Sequence, residues 1–201
     1  MQAPRPPMLS CSQYIFGVSE WEIFGTLSHG ATLALLSPAA VKQPVVFAQT
    51  LIDVSAAVAF LVPSHLDVTL AAFEVLARDP AYKRPARLRH IVCCGEPLQI
   101  ATAVRFYELG RGSAGCLSAT AVLHNVYGPT EASMTAYRVP STVNTKSEMC
   151  IGTAISNTVV VLLNEDMEPE RPQSAGAPTH RPVVHRRGER SKSLATTLVR
   201  I

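Results

Sequence analysis

The sequence predicts an α/β fold in which helices flank a mainly parallel sheet. From Gly30 onward, short apolar runs alternate with amphipathic stretches, which is the pattern of parallel strands joined by helices. Four of these runs are mostly apolar, which is typical of strands that are buried on both faces. These candidate central strands are 31–36, 57–61, 90–94 and 121–126.

Helices between the strands are predicted from caps and apolar faces. Ser19 and Glu22 have the spacing of a capping box, and Gly30 would close this first helix. Ser64 and Asp67 form a second capping pair. Three further helices are predicted at 43–53, from 64 to about 77, and at about 98–108. Their apolar faces are Val45, Ala48 and Ile52; Leu66, Leu70, Phe73 and Ala77; and Ile100, Val104 and Tyr107.

The pattern changes after Tyr127. A Gly-Pro turn is followed by an alternating run at 133–139 and a last apolar run at 158–163. Residues 169–201 have many prolines and no sustained periodicity, so they cannot offset an ordering cost of roughly 1–2 kcal/mol per residue. We therefore expect one partial domain over 1–168 and a basic, disordered tail over 169–201.

Charge and cysteine content exclude several classes of function. The net charge is +3, but the excess of basic residues lies in the tail, which contains seven Lys/Arg and two Glu. A nucleic-acid partner is therefore not expected, because it would need basic residues clustered on a folded face. No stretch approaches the roughly 18 apolar residues of a membrane span. Five cysteines without a CxxC pair predict free, mostly buried thiols and a cytoplasmic location.

One motif carries the candidate chemistry. The run NVYGPTE at 125–131 leaves the end of a predicted buried strand, where open α/β sheets place ligands. Gly128 and Pro129 make a tight turn, Tyr127 offers a flat ring, Thr130 a hydroxyl, and Glu131 a carboxylate suited to Mg²⁺. The motif predicts a site for a magnesium nucleotide. A plain surface turn after a core strand is the alternative.

With this motif the sequence resembles the adenylate-forming superfamily, and more closely the adenylation domains of nonribosomal peptide synthetases, whose signature is N-x-Y-G-P-T-E. Other segments match the same family in order, over roughly 14–166. Residues 16–24 are similar to F-D-x-S-x-W-E-x-F, 88–98 to L-R-x-I-x-x-G-G-E-x-L, and 151–158 to a downstream P-I-G-x-P-I-x-N-T segment. For 16–24, a capped amphipathic helix is an equally good explanation. The chain thus looks like an incomplete part of the large N-terminal subdomain of such an enzyme.

The resemblance implies a reaction and a set of roles. A carboxylic acid, amino or aryl, would react with ATP and Mg²⁺ to give an acyl-adenylate. The acyl group would then pass to the phosphopantetheine thiol of a peptidyl or acyl carrier protein. Asn125 and Tyr127 would contact adenine, Thr130 phosphate, and Glu131 Mg²⁺, with Thr130 and Glu131 as the catalytic pair. The remaining nucleotide-binding positions would be Gly95, Glu96, Pro97 and Gly128.

The resemblance also implies an acid pocket. Its lining would be Gly17, Val18, Trp21, Phe60, Val92, Cys94, Val126, Met134 and Thr135. Core packing is an alternative for each of these except Gly17, Trp21 and Thr135. Gly17 stands where the family has an aspartate that binds the substrate's α-amino group, and Cys94 replaces a glycine. We therefore expect an acid without an α-amino group, or no acid binding at all.

The family's phosphate loop, ribose aspartate and catalytic lysine have no match in these 201 residues. We therefore expect no activity from this chain alone. A non-catalytic remnant that binds adenine nucleotide or a partner protein is the alternative, and a shifted reading frame would explain the unmatched tail. His29, His65, His90 and His124 are scattered along the sequence, so no histidine-based site is predicted.

Overall fold

A computed structural model describes residues 7–79, 86–111, 117–128 and 135–156, and the backbone of 159–161 and 183–185. Nine strands lie in the described residues: β1 Met8–Ser10, β2 Leu33–Leu35, β3 Val58–Leu61, β4 His90–Cys93, β5 Val122–Tyr127, β6 Thr135–Arg138, β7 Thr153–Ala154, β8 Val159–Val161 and β9 Val183–His185. The helices in the same ranges are α1 Val18–Leu27, α2 Pro38–Val41, α3 Pro44–Asp53, α4 Pro63–Ala77 and α5 Ile100–Arg111.

Seven strands form one sheet in the order β2-β1-β3-β4-β5-β6-β7. The strands from β2 to β5 are parallel to their neighbours, whereas β6 and β7 pair antiparallel. Helices connect the parallel strands, as is usual for the crossover connections that such strands need. The predicted α/β fold with a mainly parallel sheet is confirmed.

The core lies on one face of this sheet. Alternate side chains of β3, β4 and β5, such as Ala59, Ile91 and Leu123, are fully buried and join one cluster with α3, α4 and α5. On the other face, α1 contacts Ser10 of β1 and Phe60 of β3. Burial therefore alternates along β4 and β5 within the described residues. The expectation that these strands are buried on both faces is wrong.

Strand β1 was not predicted. Its three residues are all buried and lie between the edge strand β2 and β3. They follow a proline-rich start and are too few to show an alternating or a continuously apolar pattern.

Both predicted capping boxes are wrong. Helix α1 begins at Val18, so Ser19 already lies inside it, and its hydroxyl donates to the Tyr14 carbonyl. Glu22 is fully buried against β1 instead of reaching back along the helix. Helix α4 begins one residue before Ser64, and its N-terminal residues receive no cap from Asp67.

Two helices expose residues that were predicted to be buried. Val45 of α3 is 42% exposed, and Ile100 and Val104 of α5 are only half-buried. The faces that do pack inward are Phe47, Ala48, Leu51 and Ile52 in α3, and Thr102, Ala103, Phe106 and Tyr107 in α5. Helix α4 buries Leu66, Leu70 and Phe73 as predicted, with Ala77 half-buried.

The tail prediction falls mostly outside the described residues. Within 169–201, the backbone of Val183–His185 pairs antiparallel with β8, which differs from the expected disorder at these three residues. None of the helices in the described ranges is long and apolar enough to cross a membrane. Of the four cysteines that the structure describes, all are free but only Cys93 is buried, so the expectation of mostly buried thiols is wrong; Cys116 lies outside the described residues.

Candidate functional site

A cavity of about 260 Å³ opens toward the carboxyl ends of β3, β4 and β5. This is the edge at which open α/β sheets place ligands. The start of α1 forms the opposite wall. The lining residues are Phe16, Gly17, Val18, Trp21, Phe60, Val92, Cys94, Gly95, Val126 and Gly128. None of these described residues carries a charged side chain, and the polar groups among them are backbone groups, the Cys94 thiol and the Trp21 indole N–H.

Seven of the nine residues predicted to bind the acid line this single cavity: Gly17, Val18, Trp21, Phe60, Val92, Cys94 and Val126. Of the other two, Met134 lies outside the described residues. Thr135 is buried in β6, and its hydroxyl oxygen has no hydrogen-bond partner among the described residues. The sequence prediction therefore brought together residues from three strands and a helix, and their role in acid binding stays a prediction.

Trp21 and Phe60 form the aromatic part of the wall. Their rings meet edge-on, with centroids 6.1 Å apart and an interplanar angle of 88°. Such edge-to-face pairs are favourable for aromatic rings. Trp21 is 41% exposed, so one side of the indole is open to solvent while the other meets the cavity.

Glu22 anchors the helix that carries Trp21. Its carboxylate is fully buried and accepts hydrogen bonds from the hydroxyls of Ser10 and Ser12, at 2.8 and 2.9 Å. The backbone N–H of Ser12 also donates to it, at 3.3 Å. Burial, with the Glu22 charge and hydrogen bond adding to it, raises the pKa of the adjacent Cys11 thiol to about 12. Sequence reasoning treated Glu22 as a helix cap and missed this role.

At Gly17 the structure leaves space. A Cβ at this position would have no atom within 4 Å apart from its chain neighbours, and the backbone is helical with φ −53°. An aspartate therefore fits here sterically and conformationally. The fold would therefore accept a carboxylate side chain at position 17, and none is present only because the residue is glycine.

The Gly95-Glu96 turn forms the rim of the cavity beyond β4. Gly95 has φ +91°, a conformation that favours glycine, and a Cβ there would lie 3.4 Å from Val62. The Glu96 carboxylate accepts hydrogen bonds from the N–H and the hydroxyl of Ser64, at 2.9 and 3.0 Å. This turn is therefore tied to the N-terminus of α4. Pro97, the third predicted residue of the turn, is exposed.

The end of β5 carries two predicted adenine contacts. Asn125 is buried, and its amide donates to the Cys150 carbonyl at 2.8 Å. The Tyr127 hydroxyl is buried without a hydrogen-bond partner among the described residues, and burial raises the pKa of this phenol. Alternation along the strand puts both on the face opposite Val126. Whether they contact adenine stays a prediction.

Thr130 and Glu131 lie outside the described residues. The proposed bend after Tyr127, which would bring the phenol, the hydroxyl and the carboxylate to one nucleotide, is therefore still a prediction. Within the described ranges, no group of three or more His, Cys, Asp or Glu side chains could hold a metal ion.

Comparison with known proteins decides the family. The family described as "AMP-binding enzyme" matches residues 1–177. The chain belongs to the AMP-binding enzyme family. This family member is 31% identical over 163 residues to Zwittermicin A synthase ZmaJ of Bacillus cereus, covering 80% of the chain and 30% of ZmaJ. It is 30% identical over 166 residues to Enterobactin synthase component F of Escherichia coli O157:H7, covering 80% of the chain and 12% of that protein.

Solved nonribosomal peptide synthetases share the fold of this AMP-binding chain. The structure of PA1221, which contains adenylation and PCP domains, gives a TM-score of 0.64 at 26% identity, covering 84% of the chain and 31% of PA1221. The synthetase FmoA3 gives a TM-score of 0.70 at 22% identity, covering 84% of the chain and 17% of FmoA3, which shows the fold alone. The predicted membership among nonribosomal peptide synthetase adenylation domains is confirmed. The chain spans less than a third of the length of each of these four proteins.

One thiol of this AMP-binding chain faces the cavity. Cys94 is half-exposed, and burial raises the pKa of its thiol. The thiol is therefore protonated at neutral pH and adds no negative charge to the lining. Among its described lining residues, the cavity accordingly has no side-chain anion that could pair with an ammonium group.

Proposed function

We propose that this chain is the acid- and adenine-binding part of an adenylation domain that activates a small carboxylic acid with ATP. The product is an acyl-adenylate, and the acyl group passes to the phosphopantetheine thiol of a peptidyl or acyl carrier domain in the cytoplasm. One observation carries the proposal: seven residues chosen from the family resemblance line a single cavity at the ligand-binding edge of the sheet.

The lining supports an acid without an α-amino group. An ammonium buried without a partner costs on the order of 3–5 kcal/mol, and the part of the lining that the structure describes contains no acidic residue. Trp21 and Phe60 offer ring edges and faces to an aromatic substrate. The volume of about 260 Å³ lies at the small end of ligand pockets. An aryl acid fits these properties best, and a small hydroxy acid is second.

The residues at the rim fit a nucleotide. Gly95 and Gly128 add no side chains to the rim, and Tyr127, next to Gly128 but on the strand face opposite Val126, has a buried hydroxyl without a partner among the described residues. Thr130 would contact phosphate, and Glu131 would hold Mg²⁺. ATP, when bound with Mg²⁺, supplies the AMP group that makes the carboxylate reactive. The residues of this chain orient the carboxylic acid and the adenine ring of ATP for that reaction.

Intrinsic fluorescence tests the acid pocket directly, because Trp21 is the only tryptophan of the chain. Titration with 2-hydroxybenzoate should change the emission, whereas phenylalanine should not. Gly17→Asp should reverse this preference by pairing with the α-ammonium. Gly25→Asp, at an open position of the same helix, is the matched control and should behave as the wild type. Equal responses of the wild type to both ligands would refute the proposed selectivity.

Catalysis is tested by ATP–pyrophosphate exchange with a panel of amino and aryl acids. The chain alone should give no exchange, because the phosphate loop and the catalytic lysine have no match in these residues. Calorimetry with Mg·ATP should still detect binding, which Glu131→Ala should weaken. Equal, negligible heats for the wild type and the variant would argue against nucleotide binding.

A non-catalytic remnant is the second candidate function. Gly17 favours it, because the family position that binds the substrate's amino group has lost its carboxylate although the space for one remains. The remnant would bind adenine nucleotide or a partner protein and no acid. The fluorescence titration separates the two candidate functions, because only acid activation predicts that an aryl acid changes the Trp21 emission.

A further inference from the structure

Two histidines that are 34 residues apart in sequence meet on the sheet. His90 begins β4, and His124 lies in β5, its parallel neighbour. The Nδ1 atom of His90 and the Nε2 atom of His124 are 3.1 Å apart, and the ring centroids are separated by 5.3 Å. The expectation that the histidines are scattered is wrong for this pair, because parallel pairing brings the two strands together.

The strands fix this arrangement. Register pairs Val92 with His124, and His90 lies two residues before Val92, so both imidazoles project from the same face. His90 is exposed and His124 is half-buried. Because the two strands are hydrogen-bonded to each other, the sheet fixes the spacing of the two backbones, and a ligand that bridges the rings restricts only side-chain rotations.

The nearby charges that act on His124 are those of His90 and Arg138. Arg138 of β6 is paired with His124 and is the charged group that acts on it besides His90. Burial, then the charges of His90 and Arg138, lower the pKa of His124. His124 is therefore a neutral imidazole at pH 7, which is the form that binds metal ions.

We propose that His90 and His124 form a two-histidine site for a divalent late transition metal ion of the Ni²⁺ or Cu²⁺ type. With metal–nitrogen bonds of about 2.1 Å, two nitrogens 3.1 Å apart subtend an angle of about 95° at the ion. This is the angle between adjacent ligands in octahedral and square-planar complexes, and it is smaller than the angle of a tetrahedral zinc site. Water completes the coordination.

The 3.1 Å between the two nitrogens also fits a hydrogen bond between the rings. In the unliganded pair, a proton therefore lies between the two nitrogens that would bind the ion. A neutral imidazole carries one proton on either nitrogen. His90 can carry its proton on Nε2 instead of Nδ1, because its exposed ring can be solvated there. Both facing nitrogens then offer lone pairs, and the ion binds without net proton release from a neutral pair.

The site lies beside the proposed acid pocket. Val92 and Val126 line the cavity, and His90 and His124 each lie two residues earlier on the same strands and the same face. A bound cation would therefore be separated from the cavity by about two residues of strand, roughly 7 Å. The proposal depends only on the histidine geometry and is independent of acid or nucleotide binding.

Thermal unfolding with Ni²⁺ tests the site. An ion that binds the folded sheet and not the unfolded chain raises Tm with concentration. We expect this rise in the wild type and its loss in His90→Gln and in His124→Gln, each compared with its own metal-free Tm. His29→Gln, which removes an exposed histidine of another element, is the control and should keep the full rise. Mn²⁺ should give a much smaller rise, because it binds nitrogen ligands more weakly than Ni²⁺.

Calorimetry with Ni²⁺ tests whether the two imidazoles act together. Each single substitution should lower the affinity of the site at least tenfold, and the loss in the double variant should be smaller than the sum of the two single losses, because either substitution alone already abolishes chelation. If the loss of binding free energy in the double variant equals the sum of the two single losses, the histidines are independent ligands and the proposal is overturned. An unchanged Tm rise in His90→Gln, the exposed and structurally safer variant, would overturn it as well.

Discussion

The carboxylate of Glu22 accepts a hydrogen bond from the Ser10 hydroxyl at 2.8 Å, and Glu22 is fully buried. This contact joins helix α1 to β1, the second strand of the sheet. Ser12 donates to the same carboxylate through its hydroxyl and its backbone N–H. The anion is stabilised by several donors, and the position of Trp21 in the cavity wall depends on it because the two residues are adjacent.

Glu22→Ala should strongly destabilise the protein. It removes the acceptor and leaves the buried Ser10 hydroxyl unpaired, and breaking a buried charged network typically costs about 3–5 kcal/mol. Urea denaturation measures the free energy of unfolding. Glu20→Ala, at an exposed position of the same helix, is the matched control and should change it by about 0.5 kcal/mol or less. Similar losses for both variants would contradict the anchoring role.

The Glu96 carboxylate should act as the N-terminal cap of α4. It accepts from the N–H and the hydroxyl of Ser64, close to the positive end of the helix dipole. Glu96→Gln and Ser64→Ala should each lower the free energy of unfolding by about 1 kcal/mol. In a double-mutant cycle the two losses should be less than additive, because both remove one contact. Fully additive losses would show that the two residues do not interact.

The parallel strands β3, β4 and β5 could be predicted from the sequence, because short, largely apolar runs that alternate with amphipathic stretches are typical of such strands. Strand β1 could not, since three residues carry too little pattern. The face of α3 was misjudged because apolar residues surround much of the helix, so that Val45 and Phe47 are equally good candidates for burial. Packing against α4 decides between them, and the sequence of α3 alone does not contain that information.

The cavity lining came from the family resemblance and not from local patterns. The contacts that organise the site join residues far apart in sequence: Glu22 with Ser10, Ser64 with Glu96 and His90 with His124. Serine and glutamate at capping spacing were assigned to local helix caps, whereas the fold uses both Glu22 and Ser64 in tertiary contacts. Periodicity and capping rules describe neighbours within one element, so they cannot predict such pairs.

Gly152→Ala should destabilise the edge of the sheet. Gly152 has φ +87°, and a Cβ there would collide with the Ala136 carbonyl of β6. Backbone strain and this overlap together should cost about 2 kcal/mol or more. Gly25→Ala is the opposite control, because Gly25 lies inside α1 with open space around it and alanine should stabilise the helix by roughly 0.5–1 kcal/mol. A neutral Gly152→Ala would show that β7 can move away from β6 at little cost.

The free energy of unfolding should fall as the pH is lowered from about 7.5 to about 5.5. Burial lowers the pKa of His65 below its ordinary value of 6.5, while the unfolded chain keeps that ordinary value. The unfolded state therefore binds more protons below pH 6.5, so acid favours unfolding, and the contribution of His65 is complete above that pH. The Nε2 atom of His65 is buried without a partner among the described residues, and its ring lies 4.5 Å from that of Phe47, so a proton there is poorly solvated.

His65→Gln should flatten this pH profile, measured as urea midpoints at fixed ionic strength. Part of the slope should remain, because the pKa of His124 is lowered in the same direction by burial and by the nearby His90 and Arg138. His65→Gln combined with His124→Gln should therefore give a flatter profile than His65→Gln alone. A wild type whose free energy of unfolding stays constant or rises on acidification over this range would contradict the burial of both imidazoles in their neutral forms.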